Sequence, residues 1–85
     1  MLPFNEIKND MKNGYGYMEY EGTWKGYNYT IVLEKSDSII FRFTDNEYEA
    51  VFKLKKDTFM ELNYKEYIKF IHNCLYYNLL PVEEE

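Results

Sequence analysis

His72 and Cys74 are the residues of this chain best suited to metal or nucleophilic chemistry, and they lie two apart in a strongly helical stretch. Residues two apart on a helix point about 200° from each other, so the pair cannot close on one ion. With no second His or Cys in the sequence, a zinc site would need carboxylates or a second chain. Cys74 has apolar neighbours, which hold a thiol protonated and inert. It reads as a core cysteine.

Carboxylates offer the next candidates. Asp45-Asn46-Glu47-Tyr48-Glu49 alternates acids as a calcium loop does, but a loop starting at Asp45 would need glycine at its sixth position and glutamate at its twelfth, where Ala50 and Lys56 stand. Glu19 and Glu21 alternate along one strand face, roughly 7 Å apart, a spacing that serves glycosidases. Hydrolysis also needs a cleft that desolvates one acid, which a domain this small seldom encloses. No strand precedes Gly14-Tyr15-Gly16, and none of Gly14, Gly16, Gly22 and Gly26 is followed by a lysine at the position a phosphate loop requires. They suit a helix cap, turns or a bulge. The sequence therefore predicts no catalytic residue, no metal ligand and no cofactor site.

Tyrosine is the anomaly: there are ten in 85 residues, and Tyr15, Tyr17, Tyr76 and Tyr77 are hard to place in one core. Tyrosine supplies large contact area at low rotamer cost and is enriched at protein interfaces. Acids accompany it on the expected outer strand face and loops. Tyr15, Tyr17, Glu19, Glu21, Glu47 and Glu49 are accordingly the candidate partner-binding residues. Carboxylates spaced along a twisted sheet can also imitate a phosphate backbone, although Arg42, Lys53, Lys55, Lys65 and Lys69 dilute such a field.

The elements that would carry these residues follow from periodicity. Phe4, Ile7 and Met11 have helical spacing between Pro3 and Asn13, with Gly14 as the stop. From Tyr17 to Trp24 the period becomes two, with Met18, Tyr20 and Trp24 on one face and Glu19, Glu21 and Thr23 on the other. Lys25-Gly26 turns the chain into a second strand, where Tyr27, Tyr29, Ile31 and Leu33 share a side. Ile39, Phe41 and Phe43 mark a third strand, and Tyr48, Ala50, Phe52 and Leu54 a fourth. Asn63 and Glu66 form a capping box for a last helix, with Leu62 and Tyr67 as its hydrophobic staple. Tyr64, Tyr67, Ile68, Ile71, Leu75 and Leu79 make its apolar stripe, and Pro81 stops it before Glu83-Glu84-Glu85.

The expected fold is a single α+β domain over residues 1–85, ordered α-β-β-β-β-α. It is an antiparallel four-stranded meander with both helices packed on one face, and residues 1–2 and 82–85 as frayed ends. At this length there is one core. Fifteen acids against ten bases leave a net charge of −5, which disfavours direct nucleic-acid binding and favours protein partners. A single cysteine, a start without an apolar signal segment, and no membrane-length apolar run point to the cytoplasm. Lys over Arg with abundant Asn, Tyr and Ile is the mark of AT-rich coding DNA, as in low-GC bacteria, their phages and mobile elements.

These features together suggest a non-catalytic, phage- or mobile-element-encoded inhibitor. It would block a host defence or nucleic-acid-processing protein by steric occlusion, as a monomer or homodimer. The alternatives are an oligomeric module sequestering a small molecule or nucleotide, and an accessory subunit of a larger complex.

Overall fold

In the computed structural model, which describes residues 1–82, each of the four long strands places its apolar parity toward one shared core. The elements are α1 (Asn5–Lys12), β1 (Met18–Trp24), β2 (Tyr27–Leu33), β3 (Ser38–Thr44), β4 (Tyr48–Lys55), α2 (Lys56–Glu61), α3 (Tyr64–Asn78) and β5 (Leu80–Pro81). The strands form one antiparallel sheet in the order β1-β2-β3-β4-β5. The small α+β meander is thus the one expected, with two additions. The sheet has five strands instead of four, and a short helix, α2, follows β4.

Both additions lie where periodicity has no purchase. α2 spans six residues and buries only Phe59, so no repeat can show. β5 pairs Leu80 with Glu49 and Pro81 with Tyr48, and a proline is tolerated there because the strand is at the sheet margin. α3 ends at Asn78, three residues before Pro81. Glu83-Glu84-Glu85 and most of the expected frayed end lie outside the described residues. At the other expected loose end Met1 is exposed, and Leu2 is 2% exposed and belongs to the core.

The buried residues come from β2, β3 and β4, the three helices, and the segment that precedes α1. Ile31, Leu33, Ile39, Phe41, Phe43, Ala50 and Phe52 face Phe4, Ile7, Phe59, Tyr67, Ile71 and Leu75. All the buried strand positions share one parity, so the helices cover one face of the sheet and leave the other uncovered. Phe52 stacks on Phe41 and Phe43 at 5.3 and 5.8 Å between ring centroids, and Phe70 meets Phe41 and Phe52 edge-on. Tyr67 joins this stack to Phe59 and Phe4.

Helix ends are secured as their sequences dictate. Asn63 accepts from the Glu66 amide at 2.8 Å, and the Glu66 carboxylate accepts from the Asn63 amide at 3.0 Å, which completes the capping box. Lys8 reaches across from α1 to donate to the Leu62 carbonyl at 2.6 Å, at the end of α2, while its ammonium lies over the Phe4 ring. The β1–β2 turn places Lys25 at φ 50° and Gly26 at φ 84°, both positive as a two-residue type I′ hairpin requires.

Gly22 creates neither a turn nor a bulge. It sits in unbroken register opposite Tyr29, whose ring lies across it. A Cβ there would fall 2.6 Å from the Tyr29 hydroxyl and 2.8 Å from Cζ. Gly22→Ala should therefore destabilise the domain by about 1–3 kcal/mol through overpacking. In urea unfolding, Tyr29→Leu should remove most of that cost, since the clash needs both side chains.

The Tyr67 hydroxyl donates to the Pro3 carbonyl at 3.0 Å. Burial foremost pushes its ionisation well above the ordinary tyrosine value of 10.0. Tyr20 is raised by burial and by its hydrogen bond to Asp10, and Tyr29 by burial. Since the unfolded chain loses these protons first, stability is fully present below pH 10 and declines as pH rises beyond it. Tyr67→Phe should flatten that alkaline slope in thermal melts at pH 9 to 11, while lowering stability at pH 7 through the orphaned Pro3 carbonyl.

Candidate docking face

The outer face of the sheet is built from cross-strand rows. Glu19, Val32, Ile40 and Lys53 form one, and Glu21, Thr30, Arg42 and Val51 the next. Thr23, Asn28, Thr44 and Glu49 form a third, with Leu80 beyond them. Charge therefore runs across the face from acids on β1 to Arg42, Lys53 and Lys55 on β3 and β4. Between them lies a half-buried neutral strip of Val32, Ile40 and Thr30.

Tyr17, Glu19 and Glu21 come together as the sequence suggests. The Tyr17 hydroxyl donates to the Glu19 carboxylate at 2.7 Å, and this bond raises the tyrosine's ionisation above its ordinary value. Tyr15 precedes them in the exposed loop that enters β1. Glu19 and Glu21 oppose Val32 and Thr30 on β2, so neither has a basic cross-strand neighbour.

Glu47 and Glu49 lie elsewhere. They belong to the β3–β4 turn and to β4, three inter-strand spacings from β1, about 14 Å away. The turn is held by Asp45, whose carboxylate accepts from the amides of Glu47 and Tyr48 at 2.8 and 2.7 Å. Glu49 is ion-paired with Arg42, the sole salt bridge among the described residues. The six candidate residues thus divide into an uncompensated group on β1 and a partly neutralised group at the opposite margin. Sequence alternation gives the parity of each residue but not which strands become neighbours.

A second surface was only half visible in the sequence. Tyr76 and Tyr77 fall off the apolar stripe of α3 and are 81% and 80% exposed, edge-to-face at 5.0 Å. Leu80, 68% exposed, follows them. It helps line a shallow open groove of about 480 Å³ with Glu49, Val51, Asn78, Pro81 and Val82. The groove's one carboxylate is already held by Arg42. The signal for this surface was the tyrosine pair off the stripe; the groove itself depends on β5, which periodicity does not reveal.

His72 and Cys74 diverge as helix geometry requires. His72 is exposed, lies edge-on to Trp24, and its Nε2 is 3.1 Å from the Lys25 ammonium. Cys74 is half-buried against the core, and burial raises its thiol ionisation. Among the described residues no group of three or more His, Cys, Asp or Glu is placed to hold a metal ion. Among the described residues no helix is long and apolar enough to cross a membrane. Comparison of the chain with protein-family models, curated proteins and solved structures returns no match.

Proposed function

We propose that this chain is a non-catalytic docking protein that occludes a partner protein with the uncovered face of its sheet. The observation that carries this reading is the one-sided core: all three helices pack on the inner parity, while the outer parity is left to solvent. That face joins a neutral centre to an acidic margin, the mixture of a less polar core and a charged rim found in protein interfaces. Arg42, Lys53 and Lys55 interrupt the acids on the same face, which favours recognition of a protein over imitation of a nucleic acid. The AT-rich coding signature supports a phage or mobile element as the source, and the cytoplasm of its bacterial host as the place of action.

Photocrosslinking tests the reading by position. Benzoylphenylalanine at Thr23 or Asn28, both on the outer face, should trap one discrete host protein in lysate of a low-GC bacterium. The same group at Lys65 or Lys69, on the exposed side of α3, should not. Equal trapping from both sides, or none from the outer face, would overturn it.

A further inference from the structure

We infer that β1 is an acceptor edge: a partner segment with basic and apolar residues in alternation adds to the sheet as its next strand. This inference rests on the docking reading above and specifies how the partner is held. Among the described residues β1 has a neighbouring strand on one side only. In a two-residue hairpin the pair flanking the turn, here Trp24 and Tyr27, exchanges both backbone hydrogen bonds, and the pattern alternates from there. Met18, Tyr20, Gly22 and Trp24 thus bond to β2, whereas Glu19, Glu21 and Thr23 turn their amides and carbonyls outward. No backbone hydrogen bond from any other described element reaches those three residues.

The side chains flanking this edge define the occupant. On the outer face the added strand would lie beside Glu19 and Glu21, which have no cross-strand counter-ion. On the inner face it would meet Met18, Tyr20 and Trp24, each half-buried at the sheet margin. A strand's side chains alternate between faces, so lysine or arginine at one parity and apolar residues at the other satisfy both surfaces. Main-chain bonds would supply affinity and the alternating side chains specificity. A second copy is the poorer occupant, because it brings its own −5 charge and sets Glu19 and Glu21 against their equivalents. The rival role for these acids is protective, since charges on a sheet margin keep bare edges from associating.

The test uses the full chain, labelled with ¹⁵N, and a capped eight-residue peptide of alternating lysine and valine. Binding should slow exchange of the Glu19, Glu21 and Thr23 amides at least tenfold. N-methylating the peptide's edge-facing amides, which keeps its charge, should weaken binding tenfold or more. Glu19→Lys with Glu21→Lys should weaken it similarly, and a glutamate-valine peptide should not bind the parent chain. Undiminished affinity of the N-methylated peptide overturns strand addition. So does unchanged exchange at Glu19, Glu21 and Thr23, and if Thr30 and Ile40 shift instead, docking through the face survives without it. Absence of peptide binding overturns the inference, and self-association of a Glu19→Gln, Glu21→Gln chain by sedimentation, which removes the edge charges, would then assign the acids the protective role. The docking reading itself is decided separately, by whether the outer-face crosslinks form and exceed those from α3.

Discussion

Phe41→Ala should remove about 3–5 kcal/mol of folding stability, a large share of what this domain has. Phe41 is fully buried; it stacks on Phe52 and meets Phe70 and Tyr67. Truncating a core phenylalanine costs about 3–5 kcal/mol, because the void cannot collapse when its walls are rigid rings. An 85-residue chain has about 4–13 kcal/mol in total to lose. Urea unfolding followed by Trp24 fluorescence gives the direct measure, with Phe41→Leu as the milder companion expected to keep the fold. A loss below about 1 kcal/mol for the alanine variant would mean that the aromatic stack does not hold the sheet to its helices.

The largest functional effect is expected from reversing charge on β1. Glu19→Lys together with Glu21→Lys should weaken binding to the crosslinked host protein about 100-fold, since like charges brought together across an interface cost several kcal/mol. The parent's affinity should fall as salt rises, and the variant's should depend less on salt. Both residues are exposed on the outer parity, so the unfolding midpoint should hardly move. The same reversal at Glu47, in the β3–β4 turn, should have a much smaller effect on binding. Titration calorimetry at two salt concentrations separates the cases, and equal losses at the two sites would place the contact outside β1.

The parity of each long strand was legible residue by residue. Met18, Tyr20 and Trp24 opposite Glu19, Glu21 and Thr23, or Ala50 and Phe52 opposite Val51 and Lys53, announce their faces because alternation is enforced by the pleat. Asn63 and Glu66 announced the start of α3 because a capping box is local chemistry. What stayed hidden was non-local or too short to repeat: the Phe59 helix, the Leu80–Pro81 strand, and Leu2 drawn into the core. For the candidate site, Tyr17, Glu19 and Glu21 were readable as a group because one strand carries them. That Glu49 would be taken up by Arg42 depends on the pairing of Arg42 with Val51 and of Thr44 with Glu49, a register fixed by the Asp45 turn. The role of Gly22 was equally invisible, since it depends on Tyr29 lying opposite.

The hydrogen bond from Tyr67 to Pro3 joins residues 64 apart in sequence. Phe4 packs on Phe59 of α2 and on Tyr64 and Tyr67 of α3, while the four long strands between them pair neighbour with neighbour. During synthesis on the ribosome, the hairpins can therefore form in turn as they emerge. The amino-terminal segment meanwhile waits, and its apolar side chains are sheltered only when the closing helix arrives. For the interval between those events the nascent chain exposes the greasy inner side of its sheet, so this is the stage at which it most needs a chaperone.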